Sequence, residues 1–248
     1  MQSLILAVDV GNTRLKWGLW QSGVWRRKGW LPIGEAGRLA EVVVPAQPMH
    51  AVVSCVAGEE VRAVLDAWLQ RLGLAVLWVE ARADAFGVHN RYDEPAQLGA
   101  DRYAMLVAAV QLGLAPCVIV GAGTAVTVDA LDATGTFLGG LILPGPQLMR
   151  QALGSGTAGV RALTGRVQDF PRSTGDAVET GIWRALTGAV EDMRGRLSRA
   201  TGRPVAVVLT GGEGPVLAAH VAEPRRVVED LVLEGLACIG RLAGWPER

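Results

Sequence analysis

The 248-residue chain contains only three cysteines and three histidines, and its formal net charge is zero. Cys55, Cys117 and Cys238 are far apart and form no CxxC pair, which argues against a disulfide framework or a zinc cluster. Because 24 acidic residues balance the 24 basic residues, the electrostatic footprint of a nucleic-acid-binding protein is missing. We therefore expect no nucleic acid among the partners of this chain.

Long apolar runs are also missing, although half of the residues are hydrophobic. No stretch reaches the roughly 18 consecutive apolar residues of a membrane span, and the first residues lack the basic segment and cleavage site of a secretory signal. The hydrophobic fraction suffices for a large buried core and excludes a disordered chain. These features predict a globular cytoplasmic protein without a membrane partner.

The two halves of the sequence begin alike. Leu4–Val10 is an apolar run that is followed by a glycine-containing turn and a strand of alternating polarity, and the same order restarts at Cys117. Asp9 and Gly121 occupy matching positions 112 residues apart, which is nearly half of the chain. This spacing predicts two similar α/β lobes with a ligand cleft between them. Two unrelated hairpins are the alternative interpretation.

The first turn combines residue types that suit a phosphorylated ligand. In the segment DVGNTRLK, Gly11 allows backbone amides to approach a ligand closely, and Lys16 can reach a phosphate group. A carboxylate that ends a buried strand, such as Asp9, is costly unless it is paired or bound to a cation. Mg²⁺ carried by a nucleotide would meet that need. A plain hairpin turn explains the spacing equally well.

Two other glycine-rich segments differ in what they predict. Gly121–Thr127 reads GAGTAVT and offers a second possible phosphate loop, with a plain hairpin turn again as the alternative. Gly154–Gly159 matches GxGxxG, but it follows a predicted helix and not the strand that a dinucleotide site requires. We expect a flexible surface loop there. No P-loop motif GxxxxGK[ST] occurs in the chain.

Polar residues also mark two helix starts. In Gly99-Ala100-Asp101-Arg102, the aspartate could accept a proton from an attacking hydroxyl group, although an exposed helical turn is the simpler interpretation. Ser173–Asp176 precedes a long predicted helix, and Thr174 or Asp176 is expected to be its N-cap. Apolar periodicity predicts helices at Glu35–Val43, Glu59–Leu72, Pro95–Leu112, Pro144–Leu153, Ala177–Arg199 and Leu231–Leu242.

Taken together, these motifs resemble those of the type III pantothenate kinase family. The matches follow in order along the chain: DVGNTRLK at 9–16, YDEP at 92–95, GADR at 99–102, GTAVTVD at 123–129, GGLILPG at 139–145, ST at 173–174 and TGG at 210–212. The resemblance implies a fold of the acetate and sugar kinase/actin type. In that fold, two duplicated ribonuclease H-like lobes, here at 1–115 and 116–248, flank a cleft.

The resemblance also implies an activity. It predicts ATP-dependent phosphorylation of pantothenate to 4′-phosphopantothenate, the first step of coenzyme A biosynthesis, by a cytoplasmic homodimer that uses ATP with Mg²⁺. Two alternatives remain open at this point. One is a nucleotide-binding regulatory protein without kinase activity, and the other is a kinase of the same fold that acts on another small hydroxyl compound.

Site residues follow from the resemblance position by position. Asp101 matches the catalytic base, and Asp9 matches a residue near the Mg²⁺ that accompanies ATP. The positions that match nucleotide contacts are Asp9, Val10, Gly11, Asn12, Thr13, Arg14, Leu15, Lys16, Thr124, Gly211 and Gly212. The positions that match pantothenate contacts are Tyr92, Gly99, Ala100, Asp101, Arg102 and Thr174.

One position departs from the family pattern. The family usually has an aspartate, associated with K⁺ or NH₄⁺, where this chain has Gly121. Glycine removes the carboxylate, and three outcomes are open: backbone carbonyls hold a weaker ion, no ion is needed, or activity is lost. Ser173 replaces the usual asparagine of an Asn-Thr pair, whereas Thr174 is kept.

Overall fold

The computed structural model describes residues 4–46, 48, 50–156 and 164–244. The elements of the first part are β1 (Ile5–Val10), β2 (Arg14–Gln21), β3 (Val24–Pro32), α1 (Leu39–Ala46), β4 (His50–Cys55), α2 (Glu59–Arg71), β5 (Ala75–Trp78), β6 (Asp84–Ala85), β7 (Val88–Asn90) and α3 (Ala100–Gln111). Those that follow are β8 (Cys117–Ala122), β9 (Ala125–Leu131), β10 (Thr136–Pro144), α4 (Pro146–Gly156), α5 (Thr174–Thr201), β11 (Ala206–Thr210), α6 (Gly214–Ala218), β12 (Arg225–Val227) and α7 (Leu231–Leu242).

The chain divides into two compact units. Unit 1 contains the described residues up to Gly113 together with those from Asp230 onward, and unit 2 is Leu114–Glu229. The end of unit 1 and the predicted lobe boundary after residue 115 therefore differ by two residues. Helix α7, which the predicted division assigns to the second lobe, packs on α3 of unit 1.

Both units have the same strand order, and this repeat confirms the duplicated ribonuclease H-like lobes. In unit 1 the order is β3-β2-β1-β4-β5. Strands β1, β2 and β3 are antiparallel neighbours, whereas β4 and β5 continue parallel to β1. In unit 2 the order β10-β9-β8-β11-β12 repeats this pattern of antiparallel and parallel pairs.

Alternation along the strands gives each sheet two distinct faces. In β1, Leu6, Val8 and Val10 enter a core that includes residues of α1 and α2. Asp9 lies between these apolar positions and therefore belongs to the opposite face, where α3 and α7 pack. In unit 2 the apolar positions of β8 and β9 pack in the same way against α5. The sheet of unit 1 thus places Asp9 outside the apolar core.

Most predicted elements agree with the structure to within about three residues, and Leu231–Leu242 is reproduced without change. The helix predicted at Pro95–Leu112 is wrong in its first part: a 3₁₀ turn at Pro95–Gln97 is followed by an extended backbone at Leu98 and Gly99, and only then by α3. The Glu35–Val43 helix is likewise split into a 3₁₀ segment, Ile33–Arg38, and α1.

The GxGxxG match does not form the expected loop where it is described. Gly154–Gly156 is the last part of α4, so the loop prediction is wrong for these residues, and 157–159 lie outside the described residues. The short elements β6, β7, α6 and β12 were not predicted, because segments of two to five residues show no recognisable periodicity. Within the described residues, no helix is long and apolar enough to cross a membrane.

The packing of α7 on α3 depends on a glycine. A Cβ atom at Gly235 would lie 1.9 Å from the backbone oxygen of Ala104, which is inside the van der Waals contact distance. We therefore expect Gly235→Ala to lower the free energy of unfolding by about 1–3 kcal/mol, as overpacking in a core does. Urea unfolding followed by circular dichroism measures this change.

Gly188→Ala is the matched control. Gly188 lies within α5, is exposed, and has nothing within 4 Å of the added Cβ. Alanine is favoured over glycine by about 1 kcal/mol inside a helix, so this variant should be slightly more stable than the wild type. A Gly235→Ala variant as stable as Gly188→Ala would contradict the close approach of α7 to α3.

Candidate active site

Asp9 is the penultimate residue of β1. On each neighbouring strand, the residue beside it is polar. Asp9 is paired in register with Lys16 of β2 and with Ser54 of β4. Residues paired in this way point to the same face of a sheet, so their side chains lie at one end of the face that α3 and α7 cover. The Ser54 hydroxyl donates a hydrogen bond of 2.8 Å to Asp9 Oδ1.

The surroundings of Asp9 destabilise its charge. The pKa of Asp9 is raised to about 6, mainly by burial and also by the negative charges of Asp101 and Asp230, against the lowering effects of the Ser54 hydrogen bond and Lys16. A bound cation would stabilise the ionised form. Mg²⁺ prefers oxygen ligands and is usually held by one or two carboxylates with waters and phosphate oxygens. Asp9 therefore fits an Mg²⁺ ion that arrives with a nucleotide.

A self-contained metal centre is not found in the described part of the chain. No group of three or more His, Cys, Asp or Glu side chains there is arranged to hold an ion. An ion at Asp9 would thus depend on ligands from a bound nucleotide and from water, as Mg²⁺ does in most sites for nucleoside triphosphates.

The turn between β1 and β2 presents its backbone to solvent. Gly11 N donates to Arg14 O at 3.0 Å and closes the turn, while Asn12 and Thr13 are exposed. The Arg14 guanidinium lies 4.8 Å from the ring centroid of Trp30. Val10 and Leu15 have fully buried side chains, so their predicted contacts with a nucleotide are limited to backbone atoms.

The GADR segment begins α3 and fixes the position of Asp101. Asp101 Oδ1 accepts a hydrogen bond of 2.8 Å from Arg102 N. A Cβ atom at Gly99 would lie 2.7 Å from the same oxygen, so the glycine leaves room for the carboxylate. Ala100 is the first residue of the helix. Burial raises the pKa of Asp101, although the amide and the positive charge of Arg102 lower it.

Arg102 connects the GADR segment to the YDEP segment. Its side chain is buried, with 4% exposure, and its Nη1 donates to Tyr92 Oη at 3.1 Å. Asn90 holds this segment in place, because its side chain accepts from Tyr92 N and donates to Pro95 O. The structure thus brings together two motifs that are separate in the sequence.

In unit 2, three loops meet through their backbones. Gly145 N donates to Thr124 O at 2.9 Å, and a Cβ atom at Gly145 would lie 2.3 Å from Gly123 O. Gly211 has a positive φ of 91°, and a Cβ atom there would lie 2.3 Å from Ala122 O. Only glycine permits such contacts. Together these contacts bring the loops that contain Ala122–Thr124, Gly145 and Gly211 side by side, and we call the surface that they form, with Gly212, the loop surface of unit 2.

Gly123, Thr124 and Gly212 are the exposed members of this surface. Gly121 lies at the end of β8, directly opposite Thr127 of β9. Thr127 Oγ1 is buried and has no hydrogen-bond partner among the described residues. The side of the strand where the family usually has a carboxylate therefore retains an unsatisfied hydroxyl group but no charge at position 121.

Thr174 lies in a different part of unit 2. It is exposed at the first turn of α5 and lines an apolar groove of about 560 Å³. The other residues of this groove come from α4, α5 and the end of β10: Pro144, Met149, Ala152, Leu153, Ala177, Val178, Gly181 and Ile182. Thr174 thus lies beside an apolar groove and not within the loop surface of unit 2.

The predicted N-cap of α5 is wrong by at least one residue. Ser173 is the N-cap, and its Oγ accepts a hydrogen bond of 3.1 Å from Asp176 N. Ser173 has the extended backbone that an N-cap requires, whereas Thr174 already belongs to the helix. Asp176 instead accepts a hydrogen bond from Arg166 N at 2.8 Å.

Two residues of the site were not predicted. Ser54 is a polar residue within an apolar strand, and this contrast with its neighbours was the available signal. Asp230 contacts Lys16, from which it is separated by 214 positions. No local sequence pattern predicts a contact over such a distance. Unit 1 therefore unites the Asp9–Lys16 loop with Tyr92, Gly99, Asp101 and Arg102, and unit 2 unites Thr124 with Gly211 and Gly212.

The raised pKa of Asp9 makes a prediction about stability. Between the ordinary pKa of 3.8 and the folded value of about 6, the folded state binds the proton more tightly than the unfolded state, so the charge costs stability as the pH rises. Asp9→Asn keeps an acceptor for Ser54 and removes the charge. Its melting temperature should exceed that of the ligand-free wild type by a margin that grows from about pH 4.5 to about pH 7.

Asp169→Asn is the control for this series, because Asp169 is an exposed acid at the surface of unit 2. The difference in melting temperature between Asp169→Asn and the wild type should not grow from about pH 4.5 to about pH 7. An Asp9→Asn variant that melts below the wild type throughout this pH range would show that the Asp9 charge stabilises the ligand-free protein.

Solved structures that resemble this chain identify its fold. A conserved putative Baf family transcriptional activator from Campylobacter jejuni superposes with a TM-score of 0.68 at 20% identity, covering 97% of this chain and all of that one. A putative N-acetylmannosamine kinase from Listeria monocytogenes gives a TM-score of 0.54 at 14% identity, with 97% and 100% coverage. These likenesses confirm the fold of the acetate and sugar kinase/actin type.

Sequence comparison identifies the family. The model of the type III pantothenate kinases matches residues 5–196. A type III pantothenate kinase from Aromatoleum aromaticum is 42% identical over 96% of this chain and 98% of its own length. One from Azoarcus sp. is 46% identical over 95% and 90%. The chain belongs to the type III pantothenate kinase family.

Proposed function

We propose that this chain transfers the γ-phosphoryl group of ATP to the hydroxyl group of pantothenate and so makes 4′-phosphopantothenate, the first step of coenzyme A biosynthesis. One observation carries the proposal: near the end of β1, Asp9 is paired in register with Lys16 and accepts a hydrogen bond from Ser54, and Asp101 is near enough for its charge to disfavour that of Asp9. Family membership supports the choice of substrate.

The first requirement of phosphoryl transfer is to bind and neutralise the phosphates. Little covalent work is asked of the protein, since positioning and electrostatic stabilisation lower the barrier. The exposed turn residues Asn12 and Thr13 and the ammonium group of Lys16 would bind phosphate oxygens, and Asp9 would hold Mg²⁺. Bound Mg²⁺ supplies charge neutralisation on the phosphates. Thr124, Gly211 and Gly212 would bind the nucleotide from unit 2.

The second requirement is to activate the acceptor hydroxyl. Asp101 would accept its proton as the hydroxyl oxygen attacks the γ-phosphorus, and ADP leaves. Because burial raises the pKa of Asp101, this carboxylate is a stronger base than an exposed one. Arg102 and Tyr92, which are hydrogen-bonded to each other, would bind pantothenate, which is an anion at neutral pH. Thr174 stays a predicted contact of the substrate.

We also propose that the reaction needs no monovalent cation. A K⁺ or NH₄⁺ ion is held most effectively where an anionic oxygen offsets its lost hydration, and Gly121 provides none. The orphaned hydroxyl of Thr127 is neutral and cannot replace a carboxylate. ATP with Mg²⁺ is then the complete set of cofactors, and the cytoplasm, which supplies ATP, is the expected location.

A homodimer is the proposed assembly. Large apolar side chains of β10 and α4 are exposed, among them Leu141, Ile142, Leu148 and Leu153. Ile142 alone leaves 66% of its surface in solvent. Exposed apolar surface is common at interaction sites of folded proteins, and one of these side chains, Leu153, also lines the apolar groove at Thr174. Sedimentation analysis of the purified protein tests this assembly.

The regulatory alternative has no supporting observation of its own. Asp9, Lys16 and Asp101, which a protein that only binds a nucleotide would not need together, are all present in unit 1, and Asp9 and Lys16 are paired in register. The likeness to a putative transcriptional activator rests on 20% identity and supports the fold alone.

Replacing the proposed base tests the chemistry. Asp101→Asn should lower kcat by about 10²–10⁴, the usual contribution of a general base, while the Kd for ATP stays close to that of the wild type. Turnover is measured by coupling ADP release to NADH oxidation, and ATP binding by calorimetry. Asp169→Asn, an exposed surface change, should leave both unchanged. Wild-type turnover in Asp101→Asn would refute the assigned role.

The cation proposal has its own test. Wild-type turnover should be equal in K⁺, in NH₄⁺ and in a large organic cation. Gly121→Asp places a carboxylate opposite the Thr127 hydroxyl and should make turnover rise with K⁺, whereas Gly121→Ala, which adds only a methyl group, should not. Wild-type turnover confined to K⁺ or NH₄⁺ would mean that backbone oxygens hold the ion without the carboxylate.

A further inference from the structure

The side chain of Asp230 contacts Lys16 of the proposed phosphate loop and Lys28 of β3. Lys16 Nζ donates to Asp230 Oδ1 at 2.8 Å, and Lys28 Nζ donates to Asp230 Oδ2 at 3.1 Å. Each carboxylate oxygen thus holds one lysine. The Asp230 side chain is only 18% exposed, against 31% for each lysine. The Asp230 carboxylate thus joins Lys16 of the loop to Lys28 of β3.

The backbone of Asp230 shows that its side chain is not there to cap a helix. Asp230 is the N-cap of α7, a position at which aspartate ordinarily accepts a hydrogen bond from a helix amide. Here it makes no such bond, and its backbone is in the left-handed region, with φ 52° and ψ 41°. Non-glycine residues adopt this region rarely. The carboxylate is directed to the lysines and not to the helix.

Helix α7 has other attachments that would hold it without Asp230. Trp25 Nε1 donates to Glu234 Oε1 at 2.7 Å, and Gly235 lies against Ala104. Residues of α7 also enter the core, including Leu231, Leu233 and Leu236. Asp230 is therefore not needed to attach α7, whereas its carboxylate is the hydrogen-bond and ion-pair partner of the Lys16 ammonium group in the described part of the chain.

We propose that Asp230 is a positioning residue that holds the ammonium group of Lys16 beside the turn at Gly11 for the phosphates of ATP. Lysine has a flexible four-carbon stem, and fixing it in advance avoids an entropic cost on binding. An ammonium group has three donors, so Lys16 can keep its bond to Asp230 and still donate to a phosphate oxygen. The inference rests on the proposed function, because it takes the ligand to be ATP.

Asp230→Asn is the variant that isolates this role. Asparagine has the same shape and tolerates the left-handed backbone, but it lacks the charge. The Kd for MgATP, measured by calorimetry, should rise about tenfold, the loss expected for one charge-assisted hydrogen bond. The melting temperature of the ligand-free protein and the KM for pantothenate should stay close to the wild-type values.

Lys28→Met is the matched control. It removes the other lysine from the same carboxylate and leaves the Lys16 pair intact, so the Kd for MgATP should change by less than about twofold, as for most exposed ion pairs. Asp230→Glu retains the charge and should recover part of the lost affinity. If Asp230→Asn and Lys28→Met weaken ATP binding equally, Asp230 acts through the general charge of the surface and the inference fails.

A double-mutant cycle decides whether Asp230 acts through Lys16. Lys16→Met should weaken MgATP binding, and adding Asp230→Asn to it should cause no further loss. Fully additive losses would overturn the inference, and so would tighter binding by Asp230→Asn, which would mean that Asp230 withholds Lys16 from the nucleotide. A wild type that fails to bind ATP would instead refute the proposed function, on which the inference depends.

Discussion

The free-energy cost of burying the Asp9 carboxylate explains which residues lie beside it in unit 1. A charge at the end of a buried strand must be compensated, and the register of β1 with β2 and β4 supplies an ammonium group on one side and a hydroxyl on the other. The compensation is incomplete, because Asp101 and Asp230 add negative charge nearby and the pKa of Asp9 remains raised. A site that is short of positive charge before its ligand arrives favours Mg²⁺ over a neutral ligand.

Unit 2 repeats the strand order without repeating this charge. Gly121 stands at the position of β8 that corresponds to Asp9 of β1, and the adjoining loops meet through glycines at close backbone distances. The two units therefore differ at the corresponding end of their central strand. In unit 1, charged side chains lie there, whereas in unit 2 the loops contact each other through main-chain atoms.

The sequence predicted most of the fold, because β1, β2, β8 and β9 have strong apolar alternation and clear glycine turns. The order of motifs also pointed to Asp101, Arg102 and the Asp9–Lys16 loop as site residues, and their roles stay predictions. Contacts between distant positions could not be predicted in this way. Asp230 pairs with Lys16 across 214 positions, and Ser54 reaches Asp9 only because β4 lies parallel to β1. The extended residues Leu98 and Gly99 interrupt a helix that periodicity alone would continue.

Product analysis tests the central claim most directly. Purified protein is incubated with ATP, Mg²⁺ and pantothenate, and the products are identified by mass spectrometry and by ³¹P NMR. If the carboxylates of unit 1 direct phosphoryl transfer to pantothenate, 4′-phosphopantothenate and ADP will form in equal amounts. ATP that binds without any phosphorylated pantothenate, or ADP that forms with inorganic phosphate alone, would contradict the proposed function.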